Sequence, residues 1–184
     1  MNDTATNSES IPRIVRDTYP PGVTCWVDLE APDPQAATEF YGALFGWNFE
    51  DRAPADQPFH YFEASLHGLR VAGIGSQMEA AAGPPAWNTY VCVEDAAATA
   101  GTVADAGGAV VLEPMEIPGA GRMAVFTDPQ GAQIRVWEPA AHTGAQLVNE
   151  TGTWNFSGLT TSDMDAAAEF YGALFGWEVP ELPN

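Results

Sequence analysis

The chain contains no lysine. Its six basic residues are all arginine and face 25 acidic ones, for a net charge of −19. So acidic a surface repels phosphate backbones and anionic headgroups, which excludes nucleic acids and membrane surfaces as expected partners. The charge itself requires no explanation beyond solubility. Cysteine is scarce. Cys25 and Cys92 each sit in an apolar, strand-like run, too few for a disulfide framework and without a Cys-x-x-Cys pair, so buried reduced thiols are expected. The three histidines, His60, His67 and His142, stand far from any second ligand at a zinc spacing. No apolar run approaches the roughly 18 residues of a membrane-spanning helix. Residues 1–10 lack the basic and apolar regions of a secretory leader. The sequence therefore reads as a cytoplasmic protein, with residues 1–19 as a disordered tail.

What is present is a duplication. The nine residues Glu-Phe-Tyr-Gly-Ala-Leu-Phe-Gly-Trp occupy 39–47 and again 169–177, an offset of 130 residues. Solenoid repeats have periods of about 20 to 50 residues, so this offset is that of a whole domain. The second copy is followed by only seven residues.

The elements can be placed from local chemistry. Val23–Leu29 reads as a strand. Asp33 is an N-cap with Pro34 in the first turn. Ala37, Phe40, Tyr41, Leu44 and Phe45 then form the stripe of an amphipathic helix over 34–45, ended by Gly46. Short strands follow at Trp47–Glu50, Phe59–Leu66 and Leu69–Gly75. The order then recurs: a strand at Trp87–Val93, a helix over about 96–106 capped by Asp95, and strands at Ala109–Leu112, Met123–Thr127 and Gln133–Trp137. Asp128-Pro129-Gln130-Gly131 is a turn tetrapeptide joining the last two. Residues 20–140 are thus one complete domain built from modules 20–78 and 86–138. A linker over 141–152 and the start of a second domain over 153–184 follow. That start, a strand and a helix without sheet partners, would expose Phe170, Tyr171, Leu174 and Phe175. It must dock on the complete domain, pair with a second chain to give a homodimer, or stay disordered.

The helix phrase Ala-Ala-Thr-Glu-Phe-Tyr-Gly-Ala-Leu-Phe-Gly-Trp and the closing phrase Gly121-Arg-Met-Ala-Val-Phe-Thr-Asp-Pro-Gln-Gly-Ala-Gln-Ile-Arg-Val-Trp-Glu-Pro139 resemble the vicinal oxygen chelate superfamily. Its members include glyoxalase I, extradiol dioxygenases, and fosfomycin- and bleomycin-resistance proteins. The resemblance implies an α+β fold of paired βαβββ modules forming an open, cup-shaped sheet with helices outside. It also implies His, Glu or Gln metal ligands on the first and last strand of each module. The corresponding first-strand positions are Trp26 and Asn88, and Phe156 in the incomplete repeat. The last-strand glutamate corresponds to Arg135, and Val71–Gly75 offers no ligand side chain. Indole cannot ligate a metal and guanidinium is a fixed cation, so no metal site and no cofactor are expected. A divalent metal enters only if this alignment is wrong.

Strand alternation predicts the cup lining independently. Trp26, Asp28, Asn88, Tyr90, Cys92, Gln133, Arg135 and Trp137 share the face opposite Val27, Leu29, Val91, Val93, Ile134 and Val136. Broad aromatic surfaces with a few polar tips suit a small, partly aromatic or carboxylate-bearing organic ligand, although such side chains can equally be core. Arg135 is expected to pair with Asp28 first and Glu63 second, or to await an anionic ligand. His60, alternating with Tyr61 and Glu63, is a candidate acid–base residue, as is Glu63. Arg122 and Glu116 flank the 117–122 loop, expected to cover the cup mouth. Two functions follow: metal-free binding of a small molecule, or an enzyme of lyase, hydroxylase or dioxygenase type whose site needs the remainder of the second domain. A domain serving association alone is a third.

Overall fold

The computed structural model describes residues 14–77 and 84–180. Eight strands form one open sheet: β1 (Thr24–Ala31), β2 (Asn48–Asp51), β3 (Tyr61–Leu66), β4 (Leu69–Ser76), β5 (Ala86–Cys92), β6 (Ala109–Ile117), β7 (Gly121–Thr127) and β8 (Gln133–Pro139). Three helices accompany it: α1 (Pro34–Phe45), α2 (Ala96–Val103) and α3 (Met164–Phe175). The strand order is β2-β3-β4-β1-β5-β8-β7-β6, so the two modules meet along the antiparallel pair β1–β5. The expected α+β architecture of paired βαβββ modules is present.

Local chemistry explains the helices. Asp33 accepts a hydrogen bond from the Ala36 N–H at 2.9 Å, and Gly46 closes α1 with a left-handed φ of 73°. The repeat reproduces both ends: Asp163 caps Ala166 at 3.0 Å and Gly176 takes φ 69°. The outer face of the first module buries Val27, Val71, Trp47 and Leu147, with Tyr41 of α1 packed on them. That of the second module buries Val91, Val103, Phe126 and Val136.

Three expectations need correction. Residues 14–19 are not a disordered tail, because Val15 bridges Leu147 and the Tyr19 hydroxyl donates to the Ala145 carbonyl at 2.7 Å. Residues 141–152 are not a free linker. The Ala145 N–H donates to Cys25 O and the Gln146 N–H to Arg70 O, which wedges the segment between the leading ends of β1 and β4. Residues 154–160 form no strand. Of the three alternatives left open for α3, the structure shows docking on the complete domain: Phe170 and Tyr171 are buried against the second module. The expected tail over 1–13, the Ala-Gly stretch at 80–83 and residues 181–184 lie outside the described residues.

Candidate functional site

Asp28 is the hub of the concave face. It sits mid-strand on β1, opposite Asn88 of β5 and Gly73 of β4, and is buried. A buried carboxylate is tolerable only with donors around it. Asp28 Oδ1 accepts from Asn88 Nδ2 at 3.0 Å, and Oδ2 accepts from the hydroxyls of Tyr90 at 2.7 Å and Tyr61 at 3.3 Å. Burial, and then the charge of Asp28, push both phenols well above their ordinary range, so they stay protonated and donate. The Trp26 indole N–H donates in turn to the Tyr61 hydroxyl at 2.9 Å.

Arg135 completes the floor. Its Nη2 lies 2.7 Å from Glu30 Oε1, its Nη1 donates to the Tyr90 hydroxyl at 3.0 Å, and Asp28 is 3.8 Å away. Burial alone would weaken its charge, but Tyr90, Asp28 and Glu30 outweigh burial and hold the guanidinium above its usual range. Its Nε is buried without a hydrogen-bond partner among the described residues, as is that of Arg70.

The expected lining is therefore met unevenly. Trp26, Asp28, Asn88, Tyr90, Arg135 and Trp137 do come together on the concave face. Gln133 stands at the exposed start of β8 opposite Thr127, and makes no contact with this network. Glu63 is not a partner of Arg135. It binds Arg52 at 2.8 Å, and the leading partner of Arg135 is Glu30, two residues along β1 from Asp28 on the same face. His60 points away from the cup. It is exposed, stacks on Phe62 and contacts Asp51 at 2.7 Å, because it alternates against Tyr61 and Glu63 rather than with them. Arg122 does not line the mouth either. It lies on the outer face opposite Glu138, 3.4 Å away, beside the start of α2. The 117–121 connection is a tight hairpin turn packed beside Trp137.

Three contributors were missed. Glu30 was legible from strand alternation. Tyr61 had a subtler signal in Gly73 and Gly75, because glycine inside a strand marks close approach by another group. The Tyr61 ring lies over both, and a Cβ on Gly73 would collide with its hydroxyl. His142 follows no periodicity. Its ring stands edge-on to Trp26 at 4.6 Å and to Trp137 at 5.7 Å, with Glu63 Oε2 at 3.8 Å from Nε2. Burial, then repulsion from Arg70, lowers its pKa to about 4, so the imidazole is neutral near pH 7.

The positions that the resemblance implies for a divalent metal are Trp26, Asn88 and Arg135, with Phe156 in the incomplete repeat and no ligand side chain along Val71–Gly75. This set does not fit a metal, since it offers one amide oxygen and one fixed positive charge, and the Tyr61 phenol fills the space at Gly73. Among the described residues no group of three or more His, Cys, Asp or Glu side chains is placed to hold an ion. No described helix is long and apolar enough to cross a membrane.

Comparison with known proteins identifies the family and the fold. The profile of the Glyoxalase/Bleomycin resistance protein/Dioxygenase superfamily matches residues 26–136. A candidate glyoxylase, CFP32 of Mycobacterium tuberculosis, is 41% identical over 163 residues, covering 88% of this chain and 62% of its own length. The anthracycline biosynthesis protein DnrV of Streptomyces peucetius is 33% identical over 174 residues, covering 86% of this chain and again 62% of its own. The chain thus spans about three-fifths of the length of these curated relatives. The Mn(II)-bound glyoxalase of Novosphingobium aromaticivorans superposes with a TM-score of 0.51 at 15% identity, covering 84% of this chain and 52% of that one, a likeness of fold alone.

Proposed function

Since the chain belongs to the glyoxalase/bleomycin resistance protein/dioxygenase superfamily, we propose that its cup binds a small aromatic molecule without a metal. One observation carries the reading: a neutral imidazole, His142, stands between the indoles of Trp26 and Trp137. The His142 backbone is held by the Trp137 indole N–H on its carbonyl at 2.7 Å and by its own N–H on the Ala120 carbonyl at 3.0 Å, so in this reading the imidazole swings aside at the side chain while the segment stays in place. A flat ligand ring replaces it against the same two indoles, at the favourable geometry of aromatic pairs.

The charges select within the expected ligand range. Arg135 already serves Glu30 and Tyr90, and Arg52 already serves Glu63, so these guanidinium groups are engaged within the protein. A neutral or cationic aromatic compound is favoured over a carboxylate. Thermal shift with matched neutral, cationic and carboxylate-bearing aromatic compounds tests this. Stabilisation by the first two classes, lost in Trp26→Ala, is expected. Stabilisation by carboxylates alone would transfer the site to Arg135 and Arg70, and no stabilisation by any class would end the reading.

A second reading rests on Glu63 and His142, whose side chains approach to 3.8 Å at the rim. A carboxylate beside a neutral imidazole can move a proton at a bound substrate, which makes the pair an acid–base candidate in a chain carrying more of the second repeat. Turnover abolished by Glu63→Gln with binding intact would favour it.

A further inference from the structure

The two copies of the repeated helix are packed on opposite sides. On α1, Pro34 and Thr38 are buried against the first module, while Phe40 and Leu44 are 60% and 57% exposed. On α3 the equivalent pattern is reversed: Phe170, the counterpart of Phe40, is fully buried on the second module, and Met164, the counterpart of Pro34, is exposed. The Phe170 ring rests on Gly108, where a Cβ would come within 2.5 Å of it. Identical side chains thus serve two surfaces, and each copy has only one of them covered.

The contacts between repeats are reciprocal. The Trp47 indole N–H donates to the Gly152 carbonyl at 2.7 Å, and the Trp177 indole N–H donates to the Gly22 carbonyl at 2.6 Å. Trp177 follows Trp47, and Gly152 follows Gly22, by the same 130 residues. The leading part of each repeat is therefore related to the other by a pseudo-two-fold exchange.

We propose that the Phe40–Leu44 face of α1 is a docking surface for the outer face of a second trailing module, one built like residues 86–138 and belonging to a completed second repeat. In that arrangement α1 and α3 are each clamped between two sheets, one from either repeat. The exchange symmetry demands it: α3 of the second repeat lies on the trailing module of the first, so α1 of the first lies on the trailing module of the second. The curated relatives have room for such a module, because more than a third of their length lies outside the match. The exposed apolar side chains Phe156 and Leu159 belong to the same unfinished interface, and Phe156 joins Phe45 in lining the groove beside α1. A second copy of this chain is a poor occupant, because its own α3 already covers the surface in question.

The test completes the second repeat with the chain's own sequence by appending residues 48–138 after Trp177, in repeat register. Leu44→Cys is introduced into the 184-residue chain and into the extended one, and its reaction with a thiol reagent is timed in both. Cys25 and Cys92, both buried, are replaced by alanine in each form, as is the second copy of Cys92 carried by the appended segment. The expected result is fast labelling in the short chain and at least tenfold slower labelling in the extended one. Phe40→Glu should lower Tm in the extended chain and leave the short one unchanged. Equal labelling and an equal response to Phe40→Glu would overturn the proposal. Should the extended chain not fold, a cysteine is placed in the full-length mycobacterial relative at the position aligned with Leu44. Protection there upholds the proposal and free reaction there overturns it.

Discussion

Arg135 Nη2 and Glu30 Oε1 meet at 2.7 Å at the floor of the concave face, where the arginine side chain is almost fully enclosed. Such a pair adds little net stability, but breaking it leaves a buried charge uncompensated, at a cost of about 3–5 kcal/mol. Arg135→Met should therefore lose about that much in urea unfolding with no ligand present. A loss below about 1 kcal/mol, the range of an exposed pair, would mean that the guanidinium is kept for a ligand and not for the fold.

Tyr61 depends on the bare backbone of β4. Gly73→Ala places a methyl group where the phenol lies, and over-packing of this kind costs about 1–3 kcal/mol. Tyr61→Phe removes the acceptor of the Trp26 indole and one donor to Asp28, and should cost a similar amount. The two changes remove the same contact, so their combination should cost less than the sum of the single changes, read by a double-mutant cycle. Full additivity would show that the ring and the glycine do not act together.

These residues also show what could be read from the sequence. The architecture was legible because its signals are local: Asp33 and Asp163 as caps, Gly46 and Gly176 as stops, and alternation along β1, β5 and β8. The same alternation brought Trp26, Asp28, Asn88, Tyr90, Arg135 and Trp137 together. The same rule, followed along β3 and β7, sends His60 to the face opposite Tyr61 and Arg122 to the outer face beside Glu138, which is why neither reaches the cup. His142 could not be found at all, because an irregular segment carries no period and its position depends on hydrogen bonds from 145 and 146 to β1 and β4.

His142 gives the domain a pH-dependent element. Its folded pKa, about 4, lies below the ordinary 6.5, so the unfolded chain binds a proton that the folded chain refuses between these values. Stability therefore falls as pH drops from about 6.5 toward 4, by no more than about 3 kcal/mol for this group. His142→Phe keeps a ring between the two indoles and cannot take a proton. The difference in unfolding free energy between the variant and the natural chain should shift in favour of the variant across that window. A difference constant with pH would contradict the placement of the ring.

Phe170 anchors α3 on the second module. Truncating a fully buried phenylalanine costs about 3–5 kcal/mol, whereas Phe40, its exposed counterpart, should change stability by less than about 0.5 kcal/mol when replaced by alanine in the 184-residue chain. Equal losses at the two positions, measured by chemical denaturation, would contradict the opposite packing of the two helices.

The concave face is proposed to serve a ligand without a metal, because Trp26, Asn88 and Arg135 occupy the positions that the family resemblance assigns to metal ligands. Elemental analysis tests it most directly, on protein purified without chelator, incubated with Mn, Fe, Ni and Zn salts and then desalted. No stoichiometric retention of any of these is expected, and the same content in Asp28→Asn as in the natural chain. Stoichiometric metal that is lost in Asp28→Asn would contradict it.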